Sequence, residues 1–234
     1  MLLILSGTAT AEQFAPFRRS LSDRPHGVTA VPGAKNKAVQ RFEVRPGDCT
    51  ARDCYRDRER SELGEVDASS QVGDEYWYAF SFYLPKDFPN IYPAKTALGQ
   101  FHQKGVKSPP VLFQYGIPPG SDTPSYYLDV NQTKLGHFPL ISERSLRGRW
   151  QDIRVHARWS TTADGLIRVY VNGRLTADVA GPNTNHSSPI YFKYGVYRSF
   201  LSRYKSVHGI SDVPAQAALF RSIRKSKTMS GLRF

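Results

Sequence analysis

Between residues 150 and 179 apolar and polar residues alternate, and the alternation is broken at Asp164-Gly165 and Asn172-Gly173. A period of two belongs to a β-strand, whose successive side chains point to opposite faces. Ile153, Val155, Ala157 and Trp159 fall on one face of the first segment, with Asp152, Arg154, His156 and Arg158 on the other. One buried and one wetted face is the pattern of an antiparallel sheet. Asp-Gly and Asn-Gly tolerate positive φ and mark hairpins, so residues 166–171 and 174–179 read as the next two strands. A chain committed here to hairpins is committed to antiparallel β architecture.

The remaining punctuation agrees. Residues 76–84 form an apolar, aromatic run stopped by Pro85. It is apolar on both faces, which fits a central strand in the core or the floor of a groove. Residues 39–44, 111–116, 126–131, 190–197 and 216–223 also read as strands, and one short helix is expected near residues 200–204. With 40% hydrophobic and 12% aromatic residues in 234, and no linker or repeat, the chain supplies one large core. The expected organisation is a single all-β sandwich domain over residues 39–234, preceded by an irregular approach at residues 12–38. Residues 1–11 resemble a truncated signal peptide, apolar at Met1-Leu2-Leu3-Ile4-Leu5 and small at Ala9-Thr10-Ala11 but without a basic start.

Thirty-two Lys and Arg against 20 Asp and Glu give a net charge of +12, which calls for a polyanionic partner. Nucleic acid is disfavoured because no helix-turn-helix, zinc finger or similar module is present. No run approaches the ~20 apolar residues of a membrane span. An acidic membrane surface and an acidic polysaccharide fit the charge as well, and charge alone does not choose among them. Cys49 and Cys54 have four residues between them and no further zinc ligands nearby, so a small-loop disulfide is expected, and with it a secreted or periplasmic location.

Three segments carry the chemistry: Arg58-Glu59-Arg60-Ser61-Glu62-Leu63, Gln100-Phe101-His102-Gln103, and Tyr191-Phe192-Lys193-Tyr194-Gly195-Val196-Tyr197-Arg198. Strand periodicity puts Arg58, Arg60 and Glu62 on one face, Gln100 and His102 on another, and Tyr191, Lys193 and Tyr197 on a third, with Gly195 leaving a gap. Arg60 and Gln100 can hydrogen-bond a carboxylate. His102 can act as a base near neutral pH. Tyr197 can give or take a proton if a neighbouring cation such as Lys193 lowers its pKa.

In this order, Arg-Ser-Glu-Leu, Gln-Phe-His and Tyr-Phe-Lys-x-Gly-x-Tyr resemble the motif set of the β-jelly-roll polysaccharide lyases, which include the alginate lyases. The wider context, from Asp48-Cys49 through Trp77-Tyr78-Ala79-Phe80 to Val171-Asn172-Gly173, is more similar to the glucuronan-lyase and heparin-lyase-like branch. The resemblance implies a concanavalin A-like jelly roll with a concave substrate groove, and β-elimination at a 4-linked polyuronate, β-1,4-glucuronan foremost. It implies that Arg60 and Gln100 neutralise the carboxylate, that His102 either abstracts the proton or supports the carboxylate, and that Lys193 contacts substrate. It also implies that Tyr197 protonates O4 and in a syn elimination could serve as both base and acid. Arg58, Glu62, Gln103 and Arg198 are further substrate-binding candidates. Tyr194 stands where alginate lyases often carry alanine, and Arg198-Ser199 follows Tyr197; both departures weigh against alginate. No cofactor is required for such chemistry. No Asp-x-Asp-x-Asp loop marks a calcium site, and a structural calcium held by backbone carbonyls would leave no trace in sequence. The enzyme is expected to act as a monomer.

The rivals are an alginate lyase of the same fold, a non-catalytic carbohydrate-binding domain, and a hydrolase. Hydrolysis needs two carboxylates at a fixed separation; Glu65-Val66-Asp67 is followed by Ala68-Ser69-Ser70, without a second glutamate. A binding module would have no use for His102 and Tyr197 together.

Overall fold

The computed structural model describes residues 14–20, 24–31 and 39–232. The expected signal peptide at residues 1–11 lies outside them. In chain order the first strands are β1 (Phe17–Arg19), β2 (Val28–Ala30), β3 (Gln40–Val44), β4 (Arg58–Glu65), β5 (Glu75–Tyr83), β6 (Lys95–Gln103) and β7 (Val111–Gly116). They continue as β8 (Ser125–Val130), β9 (Gly136–Ser142), β10 (Trp150–Arg158), β11 (Leu166–Val171), β12 (Arg174–Ala180), β13 (Ile190–Ser199) and β14 (Gln216–Ser226). Short helices α1 (Ala51–Tyr55), α2 (Glu143–Leu146) and α3 (Leu201–His208) join them. Two seven-stranded antiparallel sheets result, ordered β1-β4-β13-β6-β7-β8-β9 and β12-β11-β10-β5-β14-β3-β2.

The alternation in β10 sets its facing. Ile153, Val155, Ala157 and Trp159 are fully buried between the sheets, and the two hairpins after it pair β10 with β11 and β11 with β12. In β5 the residues Tyr78, Phe80 and Phe82 point into the same core, where they meet Phe101, Phe113, Phe192 and Tyr126 from the opposite sheet. The other face of β5 is covered by neighbours: His156 stacks on Trp77 at 4.2 Å, and Trp150 leans on Tyr83. The aromatic run is therefore core, in the sheet away from the cleft, and not a groove floor.

Two findings differ from the sequence reading. β1 and β2 pair into the sheets within residues 12–38, so that approach is not wholly irregular; three-residue strands leave no period to read. β9 carries Pro139, which reads as a breaker, but it is an edge strand, where a missing N–H is tolerated.

Gly195 shapes the site-bearing sheet. Its φ of +128° is disfavoured for a residue with a side chain. A Cβ there would lie 2.4 Å from the Ser61 carbonyl oxygen and 2.7 Å from the Phe42 ring. Around it the β13–β6 register slips, three residues of β13 answering two of β6, while β13 stays in register with β4. Gly195→Ala is expected to cost about 3 kcal/mol through strain and clash. That corresponds to a melting temperature lower by about 6–12 °C for a chain of this size. A thermal melt within about 2 °C of wild type would show that the bulge does not need glycine.

Candidate active site

β4, β13 and β6 lie side by side, with Tyr197 opposite Arg60, Lys193 opposite both Gly64 and Gln100, and Tyr191 opposite His102. This register gathers the three polar faces around one carboxylate. Glu62, only 3% exposed, accepts hydrogen bonds from Gln100 Nε2 at 2.6 Å, Lys193 Nζ at 2.7 Å and Arg60 Nη1 at 3.1 Å. Gly64 lets the lysine stem lie across the sheet, since a Cβ there would already sit 3.3 Å from Lys193 Cγ. Burial alone would raise the Glu62 carboxyl, but Lys193 and Arg60 outweigh it and hold the group below the usual carboxylate range. For Lys193 burial wins over Glu62 and the ammonium is pulled down. The carboxylate, with two cations and an amide on it, is thus the charge around which the cluster is built. Glu62 and Lys193, expected as substrate contacts, are spent chiefly on each other.

Arg60 is committed as well. Its Nε and Nη2 grip Asp53 at 2.8 and 2.7 Å in a bidentate fork. Its guanidinium carbon stands 4.6 Å from the centroid of the Tyr197 ring. The fork that sequence assigned to a substrate carboxylate is therefore occupied, and what Arg60 offers the site is charge beside Tyr197.

Tyr197 is half-buried. Burial raises its phenol, and Arg58 and Arg60 only partly pull it back. These arginines, and not Lys193, are the cations that act on it, and the net direction is upward. The group is a neutral phenol at neutral pH, able to donate a proton. His102 is stacked on Tyr191 at 5.4 Å, and its Nδ1 lies 2.9 Å from the amide nitrogen and 3.1 Å from the carbonyl oxygen of Gln103. With Nδ1 engaged by backbone, Nε2 is the nitrogen left for a ligand. Burial lowers the imidazole pKa more than the Gln103 backbone raises it, which leaves a neutral ring.

A cavity of ≈ 220 Å³ is lined by Arg58, Arg60, Gln100, His102 and Tyr197, with Lys95 and Asp129 on its walls. A larger one of ≈ 480 Å³ lies towards the other end of the same strands and takes in Arg18, Arg19, Lys104, Tyr191 and Lys193, but not Gln100, His102 or Tyr197. His102 and Tyr197 both line the smaller cavity.

Gln103 and Arg198 do not join it. Each is one residue out of phase with the cleft-facing set and points the other way. Gln103 Nε2 donates to the carbonyls of His186 and Ser188, both at 2.9 Å, and its Oε1 accepts from Thr184 and Gln132. Arg198 is fully buried, ion-paired with Glu59 at 2.5 Å and bonded to the Pro214 carbonyl. Tyr194 likewise faces the core, its hydroxyl donating to Gln40 at 2.8 Å. Of the departures that weighed against alginate, Tyr194 and Arg198 therefore lie outside the cleft, while Ser199 lines the smaller cavity. Sequence reasoning missed Asp53, Lys95 and Asp129. Asp53 had one signal, its place inside the Cys49–Cys54 loop.

Cys49 and Cys54 are joined as a disulfide. Among the described residues no helix is long and apolar enough to cross a membrane, and no three His, Cys, Asp or Glu side chains are grouped to hold a metal ion.

The sequence model of the polysaccharide lyases matches residues 7–218. A search of curated proteins finds no match. Among solved structures, the chain is similar to an endo-β-1,4-glucuronan lyase from the fungus Trichoderma reesei. The TM-score is 0.65 at 16% identity, over 97% of this chain and 94% of that one. A marine alginate lyase from Zobellia galactanivorans gives 0.58 at 16% identity, over 93% and 96%. An alginate lyase variant in complex with alginate trisaccharide gives 0.56 at 11%, over 92% and 99%.

Proposed function

The chain belongs to the polysaccharide lyase family, and from that premise we propose that it cleaves β-1,4-glucuronan, a 4-linked polyuronate, by β-elimination. One observation carries the reading: Arg60, Gln100, His102 and Tyr197, spread over three strands, line a single cavity. The choice of glucuronan is supported by the Trichoderma reesei enzyme, which aligns over more of the chain, with a higher TM-score, than either alginate lyase.

Elimination must remove the C5 proton next to a carboxylate, which is hard while that carboxylate carries full charge. Stabilising the enolate-like intermediate is therefore the main electrostatic task. Arg58, Arg60, Lys95, Lys107 and Lys193 stand against Asp53, Glu62 and Asp129, two positive charges in excess, in and beneath the cleft. Gln100 spends one amide N–H on Glu62 and keeps the other for the substrate. Neutral His102, in the tautomer whose Nδ1–H donates to the Gln103 carbonyl, takes the C5 proton on Nε2. The electron pair forms the C4–C5 double bond, the C4–O4 bond breaks, and Tyr197 protonates the leaving O4. In glucuronate the C5 proton and O4 lie on the same side of the ring, so the elimination is syn. Export, through an oxidising compartment that preserves Cys49–Cys54, and action as a monomer belong to the same proposal.

The test is a panel of glucuronan, alginate and heparin, followed by the ultraviolet absorbance of the unsaturated uronate that elimination produces. Glucuronan should react fastest. Faster reaction on alginate overturns the substrate, and silence on every polyuronate overturns the polyuronate reading. Raising salt from about 0.1 to 1 M shortens the Debye length from ~10 to ~3 Å. The +12 chain should then lose kcat/KM more than kcat; a salt-independent kcat/KM speaks against steering.

A further inference from the structure

We infer that Asp53 is a positioning residue, held by the Cys49–Cys54 loop, that fixes Arg60 over the Tyr197 ring. The inference rests on the roles proposed for Arg60 and Tyr197. Asp53 is 2% exposed and is not part of the cleft lining. Both of its carboxylate oxygens are taken by Arg60, at 2.7 and 2.8 Å. Such a planar fork fixes the guanidinium in orientation as well as position.

The segment that carries Asp53 is stapled in place. α1 is a single turn, capped by Thr50 Oγ1 accepting from the Asp53 amide at 3.4 Å and closed by the disulfide, whose Cα atoms are 5.3 Å apart. The preceding turn is tied to β4 at two points: the Gly47 amide donates to Glu59 Oε1 at 2.6 Å, and the Arg60 amide donates to the Asp48 carbonyl at 3.0 Å. Asp48 is itself held by His26 and by the Arg45 amide, both at 2.7 Å. The chain of contact thus runs from disulfide to α1, to Asp53, to Arg60, and ends on the phenol ring 4.6 Å away. A residue this short and this buried adds nothing to substrate contact. Its effect has to pass through Arg60.

Two ways of acting through Arg60 have opposite signs. If Asp53 acted only by its charge, removing it would leave the Arg60 charge less offset at Tyr197 and move the alkaline limb of kcat down. If Asp53 positions Arg60, its loss lets the guanidinium leave the ring, and the limb moves up.

The experiment is Asp53→Asn, which keeps the volume and one acceptor oxygen but breaks the fork. Expected are a kcat lower by about 10-fold or more, a KM changed by less than about 3-fold, and an alkaline limb displaced upward. A reductant that opens Cys49–Cys54 in folded wild-type protein should produce the same pattern and add little to Asp53→Asn, because both cut one chain of contact. Unchanged kcat, a loss confined to KM, or a limb that moves down overturns the inference. Should Asp53→Asn fail to fold, the reductant titration decides alone: unaltered kinetics in fully reduced, folded protein overturns it too. Wild-type protein inactive on every polyuronate defeats the underlying reading instead, so the two failures are distinguishable.

Discussion

Tyr197→Phe is expected to lower kcat by about 10²- to 10⁴-fold, the usual worth of a general acid or base, with the melting temperature nearly unchanged. The ring keeps its packing against Arg60, and only the hydroxyl is lost. KM should change little, because the phenol acts mainly when charge builds on O4. His102→Ala should lose a comparable factor for the proton it no longer accepts. The pH profile separates the two roles. The base must be neutral, and burial holds His102 below the ordinary imidazole range, so activity should persist on the acid side of that range. The acid must be protonated, and burial lifts Tyr197 above the ordinary phenol range despite Arg58 and Arg60, so the alkaline limb should lie higher than for a free tyrosine. The optimum is therefore broad, its acid limb lost in His102→Ala and its alkaline limb lost in Tyr197→Phe. Full turnover in both variants would falsify the acid–base assignment while leaving the fold untouched.

Much of this was legible in sequence for a physical reason. Where one face of a strand is buried, a one-residue slip exposes the whole apolar set, so register is fixed by the side-chain pattern. That is why β10 could be faced correctly, and why Gln100 and His102 share a face. That Arg60, Gln100, His102 and Tyr197 meet across 138 residues of chain followed from the motif resemblance, and they do line one cavity. The same parity rule, applied strictly, also excludes Gln103 and Arg198, each adjacent to a cleft residue and therefore facing away. What sequence could not show was how the charges pair. Nothing in Arg-x-Glu says that Arg60 will turn back to Asp53, or that Glu62 will collect three donors. Those choices depend on distances between strands and on a loop closed by a disulfide. Edge elements were lost for a different reason: β1 and β2 are too short for a period, and β9 holds a proline.

Removing the carboxylate at the centre of the cluster should be the most damaging change to the fold and should also abolish the chemistry. Glu62→Leu leaves Lys193 buried without its anion and frees Gln100 and one edge of Arg60. Breaking a buried pair from one side typically costs about 3–5 kcal/mol, a melting temperature lower by roughly 10 °C for a chain of this size. The sign of its pH dependence follows from the depressed pKa of Glu62. Its contribution is fully present above the carboxyl's ordinary unfolded value and is lost as pH falls through the lower folded value. The gap in melting temperature between wild type and Glu62→Leu should therefore be wide at neutral pH and close on strong acidification. Adding Lys193→Met removes the stranded cation, while Arg60 keeps Asp53 as its partner. The double variant should regain most of the lost stability, since apolar replacements of a buried pair are often neutral. Turnover should stay at least about 100-fold down, because Gln100 has lost the bond that aims its amide and a displacement of about 1 Å is enough for such a loss. Recovery of kcat together with stability would show that Glu62 serves the fold alone; a double variant as unstable as Glu62→Leu would show that the cost was not the unpaired lysine.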